Sequence, residues 1–345
     1  MTIKPKKVIK LDYKPGFLQA GNAHEFCMTY ETKGDQITLF APDYSPSHKF
    51  GVSFPIKSYS SCDVDIKKER IAVVRESEAV CLYDFQGEKI SEIAGDYICA
   101  AFTNDGSLWG IERAGHELLT WNVFNTDNKL IASFDIKDPM YESHVCFTHC
   151  PSGGMILELA AGQDGTALFL LSHKDGILGA TEMFPNQCLS CPSFNDDGNR
   201  LLVLEYYDET LYHYSYPQLE KLGEYHYERG EEEELGSTLF HAGTDCAVIS
   251  WNSRYYLLDL IHMTVCGEII IEGHEPQPAN IFYPRLSDDK ALMTDIPYLV
   301  RIGDVVLGCV DFQEDFTLLV FDVADFEKVP RNTPAHTETL IEVRK

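Results

Sequence analysis

The stretch AAFTNDGSLWGIERAGHELLTWNV, Ala100 to Val123, decides the fold. It opens on small and apolar residues, turns at Asn104-Asp105-Gly106-Ser107, runs through a second apolar segment, turns again, and ends on the pair Trp121-Asn122. Asn, Asp and Gly tolerate the left-handed backbone that hairpins need, so the unit reads strand, turn, strand, turn, strand. The run NKLIASF that follows alternates apolar and polar residues with period two, which supplies a fourth strand.

The same layout recurs along the chain. An aromatic residue marks one place in each unit: Phe40 in ITLFAP, Tyr83 in VCLYDF, Trp121 in LLTWNV, Phe169 in ALFLLS, Tyr212 in TLYHYS and Phe321 in LLVFDV, with Leu258 in YLLDLI as a seventh position. The intervals in chain order are 43, 38, 48, 43, 46 and 63 residues. Polar turns precede these marks at KKER, NDGS, PSGG, NDDG, AGTD and IGD, and alternating runs such as GEKISEI, KLGEYHY and CGEIIIE follow them. Four antiparallel strands per unit of roughly 40 residues describe a propeller blade.

Ala100 to Val123 resembles a blade of the WD-repeat family, and CLSCPSFNDDGNRLLVLEYYDETLYHYSY, residues 188 to 216, repeats its layout. The aromatic-acidic pair of that family is matched at Tyr83-Asp84, Trp121-Asn122, Leu258-Asp259 and Phe321-Asp322. The Gly-His dipeptide before a blade is in place only at Gly273-His274, whereas Gly115-His116 falls in a different turn. The resemblance therefore implies a degenerate WD-repeat-like propeller without most of the family's His-to-Asp network.

The fold expected is all-β, a seven-bladed β-propeller with four antiparallel strands per blade, closed by the N-terminal strand. A single domain is expected over 1–345, with blades near 16–54, 58–94, 97–136, 143–184, 187–227, 235–272 and 298–330. The run KKVIKLD, residues 6–12, completes the last blade, since an unpaired edge invites aggregation. Residues 337–344, TETLIEVR, are the other candidate for that edge. A long insertion occupies 273–297, where Pro276, Pro278, Pro284 and Pro297 disfavour a central strand.

Composition narrows the partners. The 345 residues carry 54 acidic and 28 basic side chains and a net charge of -26, which opposes docking on nucleic acid or anionic lipid. Eleven scattered cysteines, an odd number, read as free thiols. With neither an apolar leader nor a spanning stretch, the expected setting is reducing and cytoplasmic.

Cys188 and Cys191, with Cys146, His149 and Cys150 one unit earlier, have the residue types of a zinc site. Cys62, Cys99 and Cys146 nonetheless share one repeat position, which favours packing. SFNDDGNRLLVLE lacks the carboxylates of a calcium loop at its first and twelfth places. His116-Glu117 has Thr120 where a zinc protease needs its second His. With no nucleophile elbow and no phosphate loop, no catalytic residue, metal or cofactor is expected.

What remains is surface. In a propeller the loops between second and third strands, and those joining blades, open on one rim. That rim holds Glu112 and Arg113; Tyr206, Tyr207, Asp208 and Glu209; Trp251, Arg254 and Tyr255; and Phe312, Glu314, Asp315 and Phe316, with Glu231 to Glu234 alongside. Aromatic residues with Arg anchor interfaces, and surrounding carboxylates speed encounter with a basic partner. The sequence thus points to a non-catalytic scaffold for a neutral or basic protein or peptide. The alternatives are a hydrolase or lyase with its site in the axial channel, an acidic inhibitor or immunity-type protein masking a cationic toxin, and a structural subunit of a larger assembly.

Overall fold

A computed structural model of the chain describes residues 2–12, 15–20, 27–31, 34–41, 43–56, 62–75, 77–115, 117–137, 144–151, 153–160, 165–205, 210–226, 235–251, 254–278, 281, 292–294, 296, 299–312 and 315–327. Two short strands come first, β1 (Thr2–Ile3) and β2 (Lys7–Lys10). The sheet of residues 15–51 holds β3 (Pro15–Ala20), β4 (Cys27–Glu31), β5 (Gln36–Phe40) and β6 (Pro46–Gly51). The 62–94 sheet holds β7 (Cys62–Asp65), β8 (Arg70–Arg75), β9 (Ala79–Asp84) and β10 (Lys89–Ala94). The 97–137 sheet follows with β11 (Tyr97–Phe102), β12 (Leu108–Gly115), β13 (Leu118–Phe124) and β14 (Leu130–Lys137).

The 144–182 sheet contains β15 (His144–His149), β16 (Met155–Ala160), β17 (Thr166–Lys174) and β18 (Ile177–Glu182). The 189–226 sheet contains β19 (Leu189–Phe194), β20 (Arg200–Glu205), β21 (Thr210–Ser215) and β22 (Lys221–His226). In the 235–271 sheet lie β23 (Leu235–His241), β24 (Cys246–Trp251), β25 (Arg254–Asp259) and β26 (Thr264–Ile271). After a small pairing of β27 (Gln277–Pro278) with β28 (Leu292–Met293) comes the 299–322 sheet of β29 (Leu299–Ile302), β30 (Val305–Phe312) and β31 (Asp315–Asp322), then a short helix, α1 (Val323–Glu327).

The seven-bladed expectation is corrected by this topology. Among the described residues six sheets, not seven, are blades of the expected four-stranded antiparallel form; the 235–271 sheet is five-stranded. Its extra strand is β1, which lies parallel to β26 with Thr2 opposite Ile270. β2 supplies the fourth strand of the 299–322 sheet, antiparallel to β31. One N-terminal segment therefore edges two sheets, and Lys6 reaches Asp322 at 2.8 Å beside it. The alternative edge strand at 337–344 lies outside the described residues. The insertion after residue 272 is tied down at its far end, where the Tyr255 hydroxyl donates to the Ile296 carbonyl at 2.7 Å and Ile296 is fully buried.

The first strand of most sheets touches that of the next: β3 with β7, β7 with β11, β11 with β15, β19 with β23 and β23 with β29. β19 meets β16 and β17 of the sheet before it, and each core cluster fills the seam between one sheet and the next. Turn chemistry holds the repeat in register. Asp84 Oδ1 accepts the N–H groups of Gln86 and Glu88 at 2.9 and 2.8 Å, and Asp259 Oδ1 those of Ile261 and His262. In the 97–137 sheet this part is played by Asn125, three residues beyond Asn122, through the N–H groups of Asp127 and Lys129. The repeat mark there is Phe124-Asn125 rather than Trp121-Asn122. Asn122 instead lies in a polar network across the sheet, in a strip where Gly110 leaves room for the Tyr97 ring: a Cβ on Gly110 would come within 2.9 Å of it.

Candidate functional site

The expected rim residues on described strands all flank hairpins between the second and third strands of their sheets, so the common strand order brings them to one end of the ring. Their side chains do different things. Glu112 turns back onto its own sheet, where its Oε2 accepts from Asn122 Nδ2 at 2.8 Å; Asn122 also donates to the Tyr97 hydroxyl at 3.2 Å and accepts from Ser133 at 2.7 Å. Burial, seconded by the Glu112 carboxylate, pushes the Tyr97 phenol up to about 12. Arg113 stays half-exposed, 3.8 Å from Asp96.

Trp251 and Arg254 are direct partners across the 251–254 hairpin. The indole of Trp251 stacks on Tyr256, with centroids 3.5 Å apart and planes 9° from parallel, and Tyr225 of the 189–226 sheet closes on it at 6.4 Å. Arg254 reaches Glu268 at 3.5 Å. Tyr255 is buried and spends its hydroxyl on Ile296, so it anchors the insertion. Phe312 and Asp315 pair through the backbone at the next such hairpin, and the half-buried Phe316 accepts at its carbonyl from the Leu11 N–H at 2.8 Å. Tyr206, Tyr207, Asp208, Glu209, Glu314 and Glu231 to Glu234 lie outside the described residues.

Tyr256 and Tyr225 escaped the sequence reading. Strand alternation was the available signal: with Tyr255 pointing inward, Tyr256 must face the other side of the sheet.

Titratable groups also lie at the contacts between neighbouring sheets. Asp63 on β7 accepts the Phe102 N–H at 2.5 Å, lies 4.0 Å from His149 Nε2, and has its carboxyl pushed up to about 7 by burial. Glu158 on β16 accepts the Cys191 N–H at 3.2 Å and the Cys146 thiol at 3.9 Å, and burial lifts it to about 7 as well. The Cys146 thiol is raised by burial and then by Glu158, which favours its protonated form. Cys150 belongs to a separate cluster with Tyr216. Among the described residues no group of three or more His, Cys, Asp or Glu side chains is placed to hold a metal ion.

Against solved structures, the β-propeller domain of Myceliophteria thermophila Cps50 (Swd1) is similar to this chain with a TM-score of 0.59 at 11% identity, over 92% of this chain and 99% of that one. The chain is a β-propeller. At such low identity the likeness is one of fold. No family model matches the sequence, and no curated protein matches it. Among the described residues no helix is long and apolar enough to cross a membrane.

Proposed function

We propose that this chain is a degenerate WD-repeat-like propeller that acts in the cytoplasm as a non-catalytic scaffold, gripping a neutral or basic protein or peptide on the rim of hairpins between second and third strands. The observation that carries this reading is the aromatic group of Trp251, Tyr256 and Tyr225 at the mouth of two adjoining sheets, with Arg254 and Glu268 beside it. Rigid sheets hold these rings in place before a partner arrives, so little loop entropy is lost on docking. A net charge of -26 attracts basic partners over long range and repels nucleic acid. The proposed contact surface extends to Arg113 and Phe316 and takes in Tyr206, Tyr207, Asp208, Glu209, Phe312, Glu314 and Asp315, whose side chains lie outside the described residues.

The test is binding to immobilised basic, neutral and acidic peptide panels at 50 and 300 mM salt. Basic and neutral peptides are expected to bind, the basic ones more weakly at high salt. Trp251→Ala should weaken them about thirtyfold, the size of one interface hot spot. Retention of acidic peptides alone, or binding indifferent to Trp251→Ala, overturns the reading.

A further inference from the structure

The seam between the 189–226 and 235–271 sheets is apolar for most of its area, filled by Leu202, Leu204, Leu211, Ala247, Ile249 and Leu258. Two imidazoles are set into its lower end. His213, on β21, is 6% exposed and His241, at the end of β23, is 0% exposed; their ring centroids are 6.1 Å apart and edge-on at 62°. Neither ring nitrogen of His241 has a hydrogen-bond partner, and those of His213 make no well-formed bond, facing only the backbone of Leu260.

The charges around the pair are mostly of its own sign. Arg200 from β20 and Arg301 from β29 both act on the rings, and Asp245 from the turn before β24 is the carboxylate acting on His213. Arg301 is fixed by three bonds: Nε to the Gly303 carbonyl at 2.8 Å, Nη1 to the His241 carbonyl at 2.6 Å, and Nη2 to Asp196 Oδ1 at 2.5 Å. Asp196 is thereby committed to Arg301 and is itself 71% exposed. From α1, Glu327 lies against Gly243, two residues beyond His241.

A neutral imidazole is tolerated in such a place at the cost of its hydrogen bonds. An imidazolium is not: that of His241 presents two donors with no acceptor and meets two guanidinium groups, and that of His213 has only the Leu260 backbone and Asp245 to set against Arg200, in a medium of low dielectric. Proton binding is therefore penalised while the seam is closed and released from penalty when water enters. We propose that this seam is a proton-operated latch, closed while His213 and His241 are neutral and opened by their protonation.

Burial, with His213 and then Arg301 and Arg200, holds His241 down to about 3, and burial, with Arg200, holds His213 below the usual imidazole range. Both shifts are downward for a base. The stability they represent is full above the unfolded value near 6.5 and is lost as pH falls towards the folded value. Asp63 and Glu158, raised to about 7, act in the opposite direction over the same window. A pH profile of the wild type alone mixes the two, so the test compares variants.

Urea unfolding of wild type and His241→Gln is measured at half-unit steps from pH 7.5 to 4.5. Below pH 6.5 the unfolding constant of the wild type should rise relative to the variant by up to about tenfold per pH unit, the signature of one titrating group. A ratio that stays constant across the range overturns the latch. If His241→Gln does not fold, amide exchange of the wild type at pH 7 and 5, corrected for intrinsic rates, decides. β21 and β23 should lose protection while β8 and β9 keep theirs; equal changes in both pairs overturn the proposal.

Discussion

Two seams of this molecule solve the same packing problem with opposite chemistry. Between the 62–94 and 97–137 sheets, charged side chains are buried and bonded across the gap. Arg70 donates through Nη2 to Asp65 at 2.7 Å and to the Gly106 carbonyl at 2.8 Å, and through Nη1 to the Thr126 carbonyl and Asn128 Oδ1 at 3.3 Å. Its guanidinium also covers the Phe102 ring at 4.8 Å, while Asp63 takes the Phe102 N–H. Between the 189–226 and 235–271 sheets, leucines do the packing and the polar groups are two imidazoles lacking such bonds. The repeat therefore dictates where sheets meet, and the side chains at each meeting dictate what disturbs it. A bonded ionic seam is vulnerable to loss of one partner; a leucine seam spreads its load but answers to protons.

The comparison breaks first, if it breaks, at Arg70. Arg70→Ala strands the fully buried Asp65 without its counter-ion and should cost about 3–5 kcal/mol in urea unfolding. In the leucine seam, Leu202→Ala should cost less, about 2–3 kcal/mol, because neighbouring leucines share the contact. A Leu202 loss exceeding that of Arg70 would reverse the contrast. The smallest effect sharpens it. Asp63 has a raised carboxyl, so its contribution to stability is full below the unfolded value near 3.8 and is lost as pH rises through about 7. Asp63→Asn should therefore gain on the wild type by about 1 kcal/mol per pH unit between 5 and 7, a slope read from paired unfolding curves. A slope of the other sign would place the titration elsewhere.

Strand character and turn positions were readable throughout because period-two alternation and Asn, Asp or Gly turns are local signals. Tyr83-Asp84 and Leu258-Asp259 sit at their turns as their pairing with carboxylates suggests. The slip to Trp121-Asn122 arose because LLTWNVFN offers two aromatic-Asn pairs three residues apart, and only the turn bonds of Asn125 choose between them. The five-stranded sheet was invisible: Thr2–Ile3 is too short to show alternation, and its parallel pairing to β26 depends on a partner more than 260 residues away. On the rim, the adjacent tyrosines of SRYYLLD look alike in sequence, yet pleating buries Tyr255 and turns Tyr256 onto Trp251. The imidazole pair carries no local pattern at all, since His213 and His241 become neighbours only when two sheets stack.

The double edging by the N-terminal segment orders assembly in time. A ribosome delivers Thr2 to Lys10 before either sheet they edge, yet their partners in β26 and β31 emerge long afterwards, with Lys6 and Asp322 separated by 316 positions. Closing so wide a span is entropically unfavourable until intervening sheets have stacked and shortened the path. The opening residues must therefore wait as an unpaired strand, and the ring shuts only once synthesis has passed β31.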